Sequence, residues 1–263
     1  MSVQQYSHTC RGLGCDNTRL IEAHIIPRSF GRLLQYQTSA NVTLTMNAAT
    51  RKNPLGVFDS RILCSACDGH LNKKYDEPAF EFLKKFKLNR RDLNMRETRF
   101  NKSGVNCDLL CGFFLSVLWR ASISTRPECT LALGPHEDEA RDVLFGLKLL
   151  SSFDVFEVMV QRYRSKTIDV NGLYSLPELA PFGELNAYGF SLLGYRVTAK
   201  IDPRPLPDFC KPYVLNGKRA LRGQIVDFED TPEFGRAIQM TIRAEDRKAC
   251  CKSRAPVRPV RAG

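Results

Sequence analysis

The stretch LIEAHIIPRSF, residues 20–30, sets His24 in the middle of an apolar run, just ahead of Pro27, Arg28 and Ser29. A histidine in that position is either a packed core residue or the working end of a site. Alone on an apolar strand it is more often the former, so its neighbours must decide. The informative neighbours are cysteines. CRGLGC (10–15) brings Cys10 and Cys15, and CSAC (64–67) brings Cys64 and Cys67, one pair on each side of His24.

Short loops containing glycine or small residues let one backbone turn present two sulfurs, and four thiolates satisfy tetrahedral zinc. Cys10, Cys15, Cys64 and Cys67 therefore read as the two halves of one structural Zn2+ site. The competing reading is a set of buried, inert thiols, with LCSAC closing a core strand after Ile62 and Leu63. The other six cysteines (Cys107, Cys111, Cys129, Cys210, Cys250 and Cys251) show no such pairing. In a reducing compartment paired cysteines more often bind metal than form disulfides.

The segment from residue 8 to about 88 resembles the HNH, or ββα-metal, endonucleases in their zinc-knuckle form. The resemblance is carried by the first cysteine pair, AHIIP at 23–27, DSRILC at 59–64 and CSACDGHLNKK at 64–74. It implies that His24 is the general base that activates water. It also implies that Asp68 stands where the family's helix-borne metal ligand stands, and that Asp59 takes the place of the asparagine that orients the histidine ring. The sequence departs from the family pattern at three places. Asp59 and Asp68 replace asparagine or histidine, and Ala23 stands where an acidic ligand commonly precedes the histidine.

A divalent ion at a phosphodiester needs hard oxygen ligands while the histidine takes a proton from water. Ala23 offers none. Glu22 lies two residues from His24, on the same face of an extended strand, and His70 or Asn72 lies close behind Asp68. Asp68, in the place that the resemblance gives the metal ligand, is the expected ligand of a catalytic Mg2+ or Mn2+, with Glu22 and His70 as candidates to complete the site. Asp59 is open between an orienting carboxylate, which would favour a protonated ring, and a turn residue in GVFDSR.

The chain has 263 residues and a formal charge of +11, concentrated at its ends. Residues 1–103 hold 17 Lys/Arg against 9 Asp/Glu, residues 104–242 hold 15 against 17, and residues 243–263 hold 7 against 2. Such a balance suits a polyanionic partner, DNA before RNA, because each cation that displaces a condensed counterion adds affinity. Arg28, Lys73 and Lys74 are the expected nucleic-acid contacts. Lys84, Lys85, Lys87, Arg90 and Arg91 read equally well as a solvated face. No run reaches the roughly 18 apolar residues of a membrane span, and the first 20 residues lack a signal-peptide pattern, so a cytoplasmic protein without membrane contact is expected.

The fold class expected is α+β: a zinc-bound ββα-metal unit (1–103), then a domain that is first helical and then antiparallel β (104–242), then a basic, disordered tail (243–263). Asp76 and Pro78 signal a helix through YDEPAFEFLKKFKL. RRDLNMRETRFNKSG (90–104) reads as a linker. VNCDLLCGFFLSVLWRASIS reads as a buried helix with Cys107 and Cys111 in the core, and PHEDEARDVLFGLKLLSSF as an amphipathic one. VFEVMVQRY, YRVTAKI, GQIVDF and RAIQMTIRA alternate as strands. This second domain carries no catalytic motif and is expected to select the target, hold a protein partner or make a homodimer. A zinc-stabilised binding or adaptor protein without catalysis is the alternative to the nuclease.

Overall fold

A computed structural model describes residues 9–37, 56–85, 98–167 and 169–236. The architecture is α+β, with a small two-stranded sheet, a six-stranded sheet and helices between them. Of the expected strand RAIQMTIRA only Arg236 is described, and it is helical; the rest of that strand, the residues Lys87, Arg90 and Arg91, and the tail 243–263 lie outside the described residues.

The N-terminal unit is tied together before any regular strand begins. The Arg11 N–H donates to the Ile62 carbonyl (2.8 Å) and the Ile21 N–H to the Leu63 carbonyl (2.9 Å), which brings the two cysteine segments side by side. β1 (Ala23–His24) then pairs antiparallel with β2 (Phe58–Asp59), Ala23 opposite Asp59 and His24 opposite Phe58. α1 (Arg28–Gln37) starts directly after Pro27.

After Cys64 the chain turns into one continuous helical rod: α2 (Ser65–Leu71), a π-helical turn (Asn72–Asp76) and α3 (Glu77–Lys85). The helix start expected at Asp76 therefore lies eleven residues too late. Pro78 explains the misleading signal. It has no N–H to give the carbonyl four residues back, and its ring crowds that carbonyl, so the preceding turn opens and the Glu77 N–H reaches the Asn72 carbonyl instead. Tyr75 and Asp76 are both buried, and both meet the next helix.

That helix, α4 (Cys107–Ser122), is capped by the Asn106 side chain, which accepts from the Leu109 N–H (3.3 Å). Thirteen of its 16 residues are buried, so it must be covered on every side. Phe113 stacks on Phe30 of α1 at 5.3 Å, while Phe114 meets Phe190 of the large sheet at 5.9 Å. Gly112 admits the Tyr75 ring, which a Cβ would meet at 2.3 Å. Cys107 and Cys111 are core residues, as expected. The helix expected to open a second domain thus packs on the first as well, and one apolar cluster runs from Ile25 through α4 to Val197.

α5 (Glu137–Leu144) follows with Glu137, Asp138 and Glu139 in its first turn, where the helix dipole favours acids. The large sheet comprises β3 (Arg99–Ser103), β4 (Phe156–Arg164), β5 (Glu178–Leu179), β6 (Ala187–Leu192), β7 (Tyr195–Ile201) and β8 (Ala220–Asp227), in the order β3-β8-β4-β7-β6-β5. Two expectations are corrected here. Residues 99–103 are an edge strand and not linker; their polar run hides it because only Phe100 is even half-buried. The sheet is not wholly antiparallel, because β8 lies parallel to β4, with Val160 opposite Gly223. The chain leaves β7, crosses by the 3-10 segment Asp208–Tyr213 and enters on the far side of β4, and neither strand's alternation encodes that crossover. Among the described residues no helix is long and apolar enough to cross a membrane.

Candidate metal centre and histidine site

The four cysteines of the two knuckles converge. The sulfurs of Cys10, Cys15, Cys64 and Cys67 all lie within 4.8 Å of one another, and Cys15 Sγ and Cys64 Sγ are 3.8 Å apart. Zinc–sulfur bonds of about 2.3 Å at tetrahedral angles put neighbouring sulfurs about 3.8 Å apart, so the set fits a structural ion such as zinc. The backbone completes the cradle. The N–H groups of Gly12 and Cys64 point at Cys10 Sγ (3.4 and 3.3 Å), and a Cβ on Gly12 would fall 2.3 Å from Cys67 Sγ.

The thiols also resist sharing negative charge among themselves. Burial pushes the Cys64 thiol up, but the Cys67 N–H and the neighbouring sulfurs outweigh it and bring it to about 7. Cys67 is held well above its ordinary value by burial and by Cys10. A bound dication removes that conflict. Replacing Gly12 by Ala is expected to weaken metal retention at least tenfold, read by chelator competition, because the methyl occupies the space of Cys67 Sγ.

His24 ends β1, half-buried, its ring 5.7 Å from that of Phe58. Its ring is hydrogen-bonded to the Glu22 carbonyl, which places a proton on that side. Nε2 is buried and has no hydrogen-bond partner among the described residues. Burial holds the ring below the usual histidine value, and Arg28 and Arg120 add to this while Asp68 opposes it. The site therefore offers a neutral imidazole with an uncommitted lone pair.

Asp68 is in the first turn of α2, half-buried, and close enough to His24 and Arg120 to be influenced by both. Burial raises its carboxyl, and the Arg120 guanidinium pulls it back. His24 and Asp68 thus lie within electrostatic reach of each other. Glu22 contributes its backbone carbonyl, and its side chain is exposed. His70 goes elsewhere: two residues along a helix from Asp68, it stacks on Phe145 at 5.2 Å with Nε2 3.3 Å from the Leu144 carbonyl. Asn72 donates to Glu77 (2.7 Å). Among the described residues the cysteines alone form a cluster of three or more such ligand atoms, so Glu22, His24, Asp68 and His70 are no ready-made ion cage.

Asp59 has a different task from the one the resemblance implies. It stands opposite Ala23, one residue out of step with His24, and is 2% exposed. Oδ2 accepts from the Thr125 N–H (2.6 Å), Thr125 Oγ1 (3.0 Å) and Ser124 Oγ (2.9 Å), and Oδ1 from the Arg61 N–H (2.9 Å). Successive strand residues point to opposite faces, so its side chain anchors the turn after α4. Burial pushes the Asp59 carboxyl up, but these donors win and hold it below the usual range. A depressed folded value means that the anchor stabilises the fold above about pH 4 and loses this effect as pH falls through the folded value. Asp59→Asn is expected to cost about 2 kcal/mol or more at pH 7, the gap to wild type closing below pH 4 in urea titrations.

The spacing argument missed Arg120. From α4 its guanidinium pairs with Asp76 (2.7 Å), donates to Ser116 Oγ (2.8 Å) and reaches the His24 carbonyl (3.1 Å). Both members of the pair are essentially buried. A lone arginine inside an apolar helix was the available signal, since a buried charge demands a partner. Arg120→Met is expected to cost about 3–5 kcal/mol in denaturant melts, and Arg120→Met with Asp76→Leu to recover most of it.

The expected nucleic-acid contacts Arg28, Lys73 and Lys74 are all exposed. Lys74 donates to the Leu144 carbonyl at the end of α5 (3.3 Å), beside the Tyr75 hydroxyl (3.4 Å), and so serves as a helix C-cap. No protein-family model matches the chain, nor does any of the curated proteins or solved structures compared with it.

Proposed function

We propose that the chain is a metal-dependent endonuclease of the HNH kind, hydrolysing phosphodiester bonds in nucleic acid, DNA before RNA. The observation that carries this reading is the buried Nε2 of His24, without a partner among the described residues, near the Asp68 carboxylate, where a short ββ pair meets the helix that leaves the second cysteine pair. A neutral imidazole with a free lone pair can take a proton from water. The Glu22 carbonyl holds the ring's other side, and Arg120 fixes the His24 backbone from below. Asp68 would hold the catalytic ion, Mg2+ or Mn2+, which is commonly bound through one or two carboxylates and the substrate's own phosphate oxygens. That ion would stabilise charge on the phosphate. Arg28 and Lys73, both exposed, would meet the flanking phosphates.

A binding or adaptor protein that keeps the zinc frame without the chemistry is the second reading. Buried Ala23 and the engagement of Asp59 by residues 124–125 favour it. Cleavage of plasmid DNA, single-stranded DNA and RNA with Mg2+ or Mn2+ decides between them. The nuclease reading expects metal-dependent cutting that Asp68→Ala removes. Folded, zinc-loaded protein that binds these strands and cuts none of them supports the adaptor instead.

A further inference from the structure

The face of the six-stranded sheet turned away from α4 floors a cavity of about 550 Å3. Alternation along the strands puts Gln161 of β4, Arg196 and Thr198 of β7 and Gln224 of β8 on this floor, and the two glutamine amides bond each other at 3.2 Å. The cavity has a polar end and an apolar end. At the polar end Glu233 is only 7% exposed, and its Oε1 takes Arg196 (3.2 Å) and Arg236 (3.6 Å). Its Oε2 is buried with no hydrogen-bond partner among the described residues, and so is Nε of Arg236, which also pairs with Glu178. A buried carboxylate oxygen without a donor and a buried N–H without an acceptor are both costly, and one turn of helix separates them.

At the other end stand Phe182 and Phe209. Phe209 is 70% exposed and Leu179, also on the wall, 61%, two of only four large apolar side chains so exposed among the described residues. The two phenylalanine rings are splayed, with centroids 6.3 Å apart and planes at 44°. A planar ring between them would need about 7 Å, two contacts of about 3.5 Å each, which a small rotation of the exposed ring supplies.

We propose that this cavity binds a nucleobase, stacked against Phe182 and Phe209 with its hydrogen-bonding edge on Glu233 and Arg236. An exocyclic amine (adenine, cytosine, guanine) or a ring N–H (uracil) gives Glu233 Oε2 its missing donor, and a ring nitrogen or carbonyl beside it gives Arg236 its missing acceptor. Methylation of uracil at N3 removes its donor, so that base meets the carboxylate oxygen with lone pairs alone. The base reaches the cavity either as a free nucleoside or from a strand, where an unpaired base is easier to extrude than a paired one.

The test is isothermal titration of the full chain, without added Mg2+ and with His24→Ala in parallel, so that failure here and failure of the nuclease reading are separately visible. The probes are adenosine, cytidine, uridine, N3-methyluridine, a single-stranded oligonucleotide and its fully paired duplex. The expected result is saturable binding of the unmethylated nucleosides, with N3-methyluridine at least fivefold weaker than uridine. Phe209→Ala, which removes an exposed ring and leaves the fold intact, is expected to weaken binding about 5- to 100-fold. Glu233→Gln is expected to erase the preference of uridine over N3-methyluridine. Single strand binding with duplex excluded would identify a base in a strand as the ligand, and nucleosides binding with strands excluded would identify the free compound. No binding of any probe to the wild type, or binding unchanged in both variants, would overturn the proposal.

Discussion

Removal of the metal from the four-cysteine site is expected to unfold the N-terminal unit. β1 and β2 contribute two residues each, and the loops that carry the cysteines are otherwise joined by a few backbone hydrogen bonds, such as Arg11 to Ile62 and Cys10 to Asn17. That is too little regular structure to hold a pair of knuckles unaided. Binding of structural zinc releases on the order of 10–16 kcal/mol, as much as the whole stability of a typical domain. Cys67→Ala or a strong chelator should therefore lose the ion and free residues 9–26 and 56–64, while the large sheet and much of α4 keep their order. Metal analysis of the purified protein is expected to give one zinc per chain. Hydrogen exchange before and after chelation should then show protection lost first in the knuckles and in β1. Retained protection there without metal would mean that the cysteines are packed thiols.

His24→Ala is the second change with a large effect, and it separates chemistry from structure. The ring is half-buried, contacts Phe58 at its edge and bonds through one nitrogen to a local carbonyl, so its loss leaves a small, partly open gap. Folding and zinc content should be nearly unchanged. If the ring takes the proton from water, cleavage should fall about 100- to 10,000-fold, the range over which a positioned acid–base group contributes. His24→Gln should fall as far, because an amide fills the volume without supplying a base. Activity surviving within tenfold in both variants would remove His24 from the chemistry and leave the adaptor reading.

Arg120 shows why the site and the rest of the chain are hard to separate. It belongs to a helix that reads in sequence as the start of another domain, yet it holds the His24 carbonyl and neutralises Asp76. Loss of order in the large sheet should therefore reach the histidine through α4.

The parts legible in the sequence are those in which chemistry repeats locally. The knuckle spacing announced the four sulfurs, since a thiolate site is built from short loops that the sequence displays whole. The largely apolar run of α4 announced burial on nearly every side, and the alternation in VFEVMVQRY and YRVTAKI announced β4 and β7. β6 escaped because all six of its residues are buried: Tyr188, Phe190 and Leu192 alternate with the small Ala187, Gly189 and Ser191, and no polar face marks the period. Everything that depends on which distant segment meets which was decided only in three dimensions. Asp59 faces Ser124 and Thr125 because Ala23, not His24, is its partner across the strands, and a register shift of one residue exchanges faces. His70 and Lys74 turn to the end of α5, and β8 slips in parallel beside β4. Spacing along the chain records which groups a loop or turn can gather; long-range pairing, which sets the direction of every side chain beyond it, is settled by the packing of a shared core.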